Sequence, residues 1–185
     1  MRSMKAKKYA LTFPVSEPGT FLSTRGEGAH KRSALQAALR SAGPAPVLEI
    51  DFTGTEAMTH SFVDEFLGKF YVSLAVGDVQ VAGVILIGLI KETRESVAVC
   101  LERRKQFAVQ GEDHTLLGDT NVIPDTYARA RKLGAFRAQE LAEALGISVT
   151  NANNRLKRLV QAGVLSRDRA PGPERGGKEF LYTLP

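Results

Sequence analysis

Apolar residues recur at helical spacing in some segments of the chain and form strand-like runs in others, and these two patterns predict its elements. Helical spacing predicts helices over residues 31–41, 61–75 and 92–106. Alternation or β-branched content predicts strands over residues 9–15, 47–52 and 83–90, with a glycine-containing loop before residue 31. Residues 107–122 fit either a final strand or a connector. Strands that alternate with helices indicate an α/β sandwich with a small sheet.

The segment "GISVTNANNRLKRLVQAGVLSR", residues 146–167, predicts a helix with one apolar and one polar face. Ser148 is a suitable N-cap and Gly163 a suitable residue just beyond the C-terminus. The expected core face holds Val149, Ala152, Leu156, Leu159 and Val160. The opposite face holds Thr150, Asn151, Asn154, Arg158 and Gln161, with Asn153, Arg155 and Lys157 on the flanks.

The polar face of this helix is rich in asparagine, which favours helices poorly. Asparagine amides can form bidentate hydrogen bonds to adenine, and arginine can form them to guanine. Base recognition would therefore explain why this helix contains several asparagines. The alternative is an ordinary amphipathic surface helix whose polar side chains face water.

The sequence on either side of this helix favours the first interpretation. Upstream, Leu141, Ala142 and Leu145 form the apolar face of a short helix, and Gly146 permits a tight turn. Downstream, a Pro/Gly-rich loop separates two predicted strands, the second of which has alternating apolar residues. Those residues are Phe180, Tyr182 and Leu184, and the hairpin carries Arg167, Arg169, Arg175 and Lys178 around its tip.

This order of helix, turn, helix and basic hairpin, with "ELAEALGIS", "NNRLKRLVQAGVLSR" and "YTLP", resembles the winged helix-turn-helix domain of MarR-like bacterial regulators over residues 122–185. The resemblance implies a dimer that binds two half-sites of double-stranded DNA, with the second helix in the major groove. One departure is Arg137, where such domains often have a Ser or Thr cap. The implied base-edge residues are Thr150, Asn151, Asn154 and Arg158. The implied phosphate or wing residues are Ser148, Arg155, Lys157, Arg175 and Lys178.

The charge distribution agrees with a nucleic-acid partner. The formal net charge is +5, and residues 125–185 hold 11 Lys and Arg against 6 Asp and Glu. Residues 1–124 hold 14 of each kind, so all of the excess positive charge lies in the C-terminal third. A localised basic patch is the electrostatic footprint of phosphate binding.

The segment "VLEIDFTGTEAMTHSFVDEFLG", residues 47–68, resembles a STAS-like domain, a relative of the bacterial anti-anti-sigma factors. The likeness covers about residues 7–107, so we expect a STAS-like α/β domain over 1–107, a connector over 108–121 and the winged domain over 122–185. The family implies a protein partner, such as a histidine-kinase-like ATPase, and a phosphorylatable Ser or Thr at the junction before a helix. Ser61 takes that position, with Thr59 close by.

Two interpretations of Thr59 and Ser61 stay open. The junction reads Thr59-His60-Ser61-Phe62 where the anti-anti-sigma pattern has an Asp-Ser-Ser-Gly-like sequence. Either residue is therefore a phosphosite or, alternatively, a cap for a helix that begins near Phe62.

No other class of site emerges from the sequence. Cys100 is the single cysteine, which excludes an intrachain disulfide, and the three histidines lack zinc spacing. Glu49, Asp51 and Glu56 have no nucleophile, base or metal-ligand partner by spacing, so we expect no enzyme activity, metal or cofactor. The segment 24–32 could hold an anion but lacks a P-loop ending, which favours a flexible loop.

The longest apolar run, residues 81–90, is too short to span a bilayer, and no signal-peptide core follows the basic N-terminus. We therefore expect a cytoplasmic, bacterial or archaeal DNA-binding transcriptional regulator whose STAS-like domain docks a partner or senses a signal. The alternative is a partner-switching adaptor whose winged domain binds protein instead of DNA.

Overall fold

The computed structural model of the chain describes residues 10–111, 113–121, 123–170 and 179–185. Its strands are β1 (Ala10–Pro14), β2 (Thr20–Leu22), β3 (Val47–Asp51), β4 (Thr55–Met58), β5 (Gly83–Ile87), β6 (Phe107–Gln110), β7 (Thr115–Gly118), β8 (Ser166–Arg169) and β9 (Phe180–Thr183). Its helices are α1 (Arg25–Ser41), α2 (His60–Val63), a π-helical turn (Asp64–Gly68), α3 (Lys69–Val76), α4 (Lys91–Arg103), α5 (Ile123–Leu133), α6 (Ala138–Leu145) and α7 (Val149–Gln161).

The main sheet has five strands in the order β1-β3-β5-β6-β7. All neighbours are parallel except β6 and β7, which form an antiparallel hairpin, while β2 and β4 pair separately. The strands follow one another across the sheet in chain order, so the sheet has no topological switch point. Doubly wound α/β folds open their ligand crevices at such a point. The expected α/β class of the N-terminal part is therefore observed in an arrangement without that crevice.

Helices α1 to α4 cover one face of this sheet and enclose the larger hydrophobic core. Leu48, Ile50 and Leu86 project from the strands into it and are fully buried. The inward positions predicted for the helix over 61–75 are confirmed, since Phe62, Phe66, Leu67 and Phe70 are all fully buried. Period-2 burial in the strands and helical spacing in α2 and α3 thus produce one contiguous core.

Helix α1 begins at Arg25, six residues earlier than the glycine-rich sequence predicted. Its start is fixed by a capping box, in which Thr24 accepts from the Glu27 N–H at 3.1 Å and the Glu27 carboxylate accepts from the Thr24 N–H at 2.9 Å. A Cβ at Gly28 would lie 2.7 Å from the Phe62 carbonyl oxygen, so this glycine permits the helices to pack closely. The expected flexible loop over 24–32 is therefore a helix after Thr24.

The other face of the β6–β7 hairpin packs against the C-terminal part of the chain. Along β6, Ala108 belongs to the first core, while Phe107 and Val109 belong to a second core shared with α5, α6 and α7. The segment 107–122, for which a final strand or a connector was expected, thus contributes two strands to the sheet, β6 and β7. A single hairpin contributes to both cores because successive side chains of a strand point to opposite faces.

Three hydrogen bonds join the end of α7 and the start of β8 to α3, to β5 and to the residue before β5. The Val84 N–H donates to the Gly163 carbonyl at 2.8 Å. The Gln161 amide donates to the Ala75 carbonyl at 3.1 Å, and the Ser166 hydroxyl to the Ala82 carbonyl at 2.6 Å. The C-terminal end of α7 is therefore held, while its N-terminal half extends away from these contacts.

Candidate nucleic-acid interface

Helices α6 and α7 are joined by the tight turn that the sequence predicted. Gly146 has φ +65°, in the left-handed region that glycine adopts without strain. Ser148 is the N-cap of α7, and its hydroxyl accepts from the Asn151 N–H at 3.2 Å. On the inner face Ala152, Leu156 and Leu159 are fully buried, which orients the helix about its axis.

The outward side of α7 carries polar side chains over its first nine residues. Thr150, Asn151 and Asn154 are exposed, as the amphipathic pattern indicated, and so is Lys157, which the sequence placed on a flank. Asn153, assigned by sequence to a flank, is exposed as well. This surface presents amide, hydroxyl and ammonium groups, which are the groups that bind base edges and phosphates. The individual roles of these residues remain predictions.

Val149 is 46% exposed although the helical wheel placed it on the core face. It is the first residue after the N-cap, where the helix has not yet reached the core residues of α5 and the sheet. It lines a groove of about 430 Å³ between α6, the start of α7 and β9. The wheel gave the correct direction for the interior of α7 but not for its first position.

Arg155 and Arg158 are half-buried and make contacts within the protein. Arg155 donates to the Asn151 side-chain oxygen at 3.0 Å and to the Thr126 hydroxyl at 3.1 Å. Arg158 Nη2 lies 3.7 Å from a carboxylate oxygen of Asp119. Both arginines thus face α5 and the loop after β7, a tertiary relationship that the helix pattern alone does not contain.

The N-terminus of α6 lacks a Ser or Thr cap, as the sequence indicated. The Glu140 carboxylate accepts from the Arg137 N–H at 2.6 Å, which satisfies one free donor of the helix end. The Arg137 guanidinium forms an ion pair with Glu179 at 3.4 Å. Together with the exposed Glu143, these carboxylates place negative charge beside the start of α7.

Strands β8 and β9 form the predicted antiparallel hairpin. The Arg167 guanidinium stacks on the Phe180 ring with 4.5 Å between the guanidinium carbon and the ring centroid. Arg169 is exposed near the end of β8. The wing candidates Arg175 and Lys178 lie outside the described residues.

The N-terminal candidates Thr59 and Ser61 lie at the start of α2. Thr59 is the N-cap, because its hydroxyl oxygen accepts from the Phe62 N–H at 3.2 Å and its hydroxyl donates to the Ser23 carbonyl at 2.6 Å. Ser61 follows within the first turn and is half-buried. Of the two residues, Thr59 makes the capping contact.

Acidic residues in the following π-helical turn are held by cations. Arg104 donates to both carboxylate oxygens of Asp64, at 2.6 and 2.9 Å, and this lowers the pKa of Asp64. The pKa of Glu65 is lowered by the hydrogen bond from Lys69 and that from Arg32, against desolvation by burial. Both carboxylates are therefore ion-paired with basic side chains of neighbouring helices.

Metal-binding clusters and membrane-spanning helices are both absent from the described part of the chain. No three His, Cys, Asp or Glu side chains in these ranges are grouped so that they could hold a metal ion. Within the same ranges, every helix is too short or too polar to cross a lipid bilayer.

A family model described as winged helix-turn-helix DNA-binding matches residues 138–166. The match begins at the first residue of α6 and ends at the first residue of β8. No curated protein and no solved structure matches the chain. Residues 138–166 therefore match a winged helix-turn-helix DNA-binding domain, which points to a regulator.

Proposed function

We propose that this protein is a sequence-specific DNA-binding transcriptional regulator that inserts the N-terminal half of α7 into the major groove. One observation carries the proposal. The inner face of α7 is anchored by fully buried residues, while its first nine residues expose Thr150 and Asn154 on the opposite side and Lys157 on a flank. Recognition helices read base edges with their N-terminal residues, and these are the residues that project here.

The chemistry of this surface assigns a role to each group. The amides of Asn151 and Asn154 suit bidentate bonding to adenine, and the Thr150 methyl and hydroxyl suit thymine or a phosphate. Lys157 and Ser148 suit phosphates, which position the helix without reading sequence. Arg155 would act from its position between Asn151 and Thr126, where it restrains the Asn151 side chain.

Fluorescence anisotropy with the full chain tests this function. We expect binding to a selected duplex from a random pool, and a fall in log affinity that is linear in the logarithm of salt concentration. Asn154→Ala should weaken binding to the preferred duplex by about 1–3 kcal/mol, and the protein should lose its preference at one base pair. Lys157→Ala should weaken binding to all duplexes alike. It should also reduce the slope of log affinity against log salt concentration by about one.

The matched control is Arg40→Ala, which removes an exposed cation from α1, a helix outside the winged domain. It should leave affinity and salt slope unchanged. Equal losses with Arg40→Ala and Lys157→Ala would indicate only a general effect of net charge. Absence of duplex binding by the full chain at low salt would contradict direct DNA recognition.

The N-terminal unit is proposed to be STAS-like and to dock a protein partner or sense a signal. Support comes from strand β3, the "IDF" sequence at its end and the capped helix start at Thr59, in the order that the family resemblance implies. A histidine-kinase-like ATPase is the partner class that follows from this resemblance. Co-purification of such an ATPase with the full chain, and its loss on Ser61→Asp, would support the docking role.

The second candidate is the protein-binding adaptor. It is favoured by the carboxylates of Glu140, Glu143 and Glu179 beside the start of α7, since negative charge there opposes a phosphate backbone. Asn154→Ala separates the two candidates, because an adaptor has no duplex preference to lose. Arg158→Ala is the poorer discriminator, since Arg158 is engaged by Asp119 within the protein.

A further inference from the structure

We propose that Asp119 is an affinity-determining residue for DNA, because it holds Arg158 of the recognition helix in an ion pair that competes with a DNA phosphate. The inference rests on the proposed DNA-binding function and adds to it a residue from outside the matched winged segment. Asp119 lies in the loop after β7, and Arg158 lies on α7. The family resemblance implied a base-edge role for Arg158 and gave Asp119 no role.

Arg158 contacts two residues of the sheet hairpin and its following loop. Its Nη2 atom is 3.7 Å from a carboxylate oxygen of Asp119, and its guanidinium carbon is 5.7 Å from the centroid of the Phe107 ring. Phe107 is almost fully buried and is therefore a fixed platform for the guanidinium. Arginine is attracted both to the carboxylate and to the face of the ring, so the two contacts act in the same direction.

Asp119 is itself held in position. Its backbone N–H donates to the Gln106 carbonyl at 2.9 Å, and its second carboxylate oxygen accepts from the Asn121 side-chain amide. One oxygen is therefore occupied by Asn121, and the other faces Arg158. The carboxylate is presented to the recognition helix by a loop with its own hydrogen bonds.

The contact is weak enough for Arg158 to be released when the charge of Asp119 is removed. The Arg158 side chain is 38% exposed and that of Asp119 is 20% exposed, so water already reaches the pair. Exposed ion pairs contribute little to stability, and a DNA phosphate offers the guanidinium a competing anion of high charge density. The long arginine side chain can therefore leave Asp119 without unfolding of the helix.

The position of Arg158 along α7 favours a phosphate over a base. Arg158 follows Thr150 by eight residues, which is about 12 Å along a helix that rises about 1.5 Å per residue. If the residues near Thr150 enter the groove, Arg158 lies toward its edge, where the backbone runs. A released Arg158 would therefore add about one phosphate contact without changing base preference.

The test is a double-mutant cycle with the wild type, Asp119→Asn, Arg158→Ala and the double variant, all as full chains. Asn keeps the oxygen that accepts from Asn121 but removes the charge that holds Arg158. We expect Asp119→Asn to raise affinity for both specific and random duplexes by about two- to fivefold, the range that the loss of one exposed ion pair permits. The salt slope should steepen by about 0.9.

Arg158→Ala alone should change affinity by less than about twofold, and in its background Asp119→Asn should have no effect. A gain that persists at full size without Arg158 would overturn the proposal, because it would reflect only the removed negative charge. Loss of affinity on Asp119→Asn, or a loss of about tenfold on Arg158→Ala alone, would also overturn it. The large loss on Arg158→Ala would show that Arg158 already contacts DNA.

Asp113→Asn is the matched control, because Asp113 lies in the same hairpin and bonds to Thr115 instead of Arg158. It removes the same charge and should leave DNA affinity unchanged. Thermal unfolding of each variant establishes that it is folded at the temperature of the titration. Absence of DNA binding by all four proteins of the cycle would contradict the proposed function itself, whereas binding without coupling would contradict only the role of Asp119.

Discussion

The backbone N–H of Val84 in the main sheet donates to the carbonyl of Gly163, two residues after the end of α7, over 2.8 Å. Gly163 has φ +68°, and a Cβ at this position would lie 2.9 Å from Val84 Cγ2 and 3.1 Å from the Val84 nitrogen. One glycine therefore ends α7 and also permits the sheet to approach it. The two requirements can be separated by substitution.

Gly163→Ala should destabilise the protein by about 2–3 kcal/mol. The left-handed backbone costs an L residue about 1–2 kcal/mol, and overpacking against Val84 adds at least about 1 kcal/mol. Chemical denaturation of the full chain measures the sum. The control is Gly134→Ala, since Gly134 has a similar φ of +76° and a Cβ added there would meet no atom within 4 Å. Equal losses at the two positions would show that the contact with Val84 carries no cost.

Gly28→Ala and Gly26→Ala should change stability in opposite directions although both lie near the start of α1. A Cβ at Gly28 would lie 2.7 Å from the Phe62 carbonyl oxygen, a backbone atom that cannot move alone. We expect a loss of about 2 kcal/mol, because overpacking outweighs the better helix propensity of alanine. At Gly26 the nearest atom is 3.9 Å away, so alanine should add up to about 0.5 kcal/mol. Thermal unfolding of both variants checks the signs, and stabilisation by Gly28→Ala would contradict the close packing of α1 on α2.

Local features of the fold could be predicted from the sequence, whereas features that depend on tertiary contacts could not. Caps and turns are local, so Ser148 and Gly146 identified the helix-turn-helix geometry, and the buried positions of α7 followed from its period. The start of α1 was missed because glycine has poor helix propensity, whereas the Thr24 cap and the packing of Gly28 outweigh it here. Propensity is a weak prior wherever tertiary contacts decide.

The contacts that Arg155 and Arg158 of α7 make with other elements could not be predicted from the helix pattern. Arg158 contacts Asp119 and Arg155 contacts Thr126, and each pair joins α7 to a residue outside the helix-turn-helix. A helical wheel gives the direction of a side chain but not the element that lies there. The sequence therefore predicted which residues lie on the polar face. Only the tertiary structure shows that the asparagines are exposed while the arginines contact residues outside the helix-turn-helix.

Glu65→Gln should reduce the acid sensitivity of the protein. Glu65 is buried, and Lys69 donates to its carboxylate at 2.7 Å and Arg32 at 3.1 Å, which lowers the pKa of Glu65 below its ordinary value of 4.5. Pairing favours the charged form, so its stabilisation is complete well above pH 4.5 and is lost as the pH falls through the lowered pKa. Near neutral pH we expect the variant to be less stable by about 1–2 kcal/mol.

Denaturation at a series of pH values measures this difference. The wild type and the variant should converge in stability as the medium becomes acidic, because the wild-type carboxylate is then also neutral. Glu95→Gln on the exposed face of α4 is the control for the loss of one negative charge. A constant gap between wild type and Glu65→Gln at all pH values would show that the variant loses packing and not a titrating ion pair.

Thr59→Ala and Ser61→Ala should separate helix capping from any role of the neighbouring hydroxyl. The Thr59 side chain accepts from the Phe62 N–H and donates to the Ser23 carbonyl, so its removal leaves two polar groups without their partner. We expect Thr59→Ala to cost about 1–2 kcal/mol, and Thr59→Ser, which keeps the hydroxyl, to restore most of it. Ser61 does not cap α2, so Ser61→Ala should stay within about 0.5 kcal/mol of the wild type. Thermal denaturation of the three variants measures these values. If Ser61→Ala instead destabilised the protein as much as Thr59→Ala, the start of α2 would depend on both hydroxyls, and Ser61 would be unsuited to reversible modification.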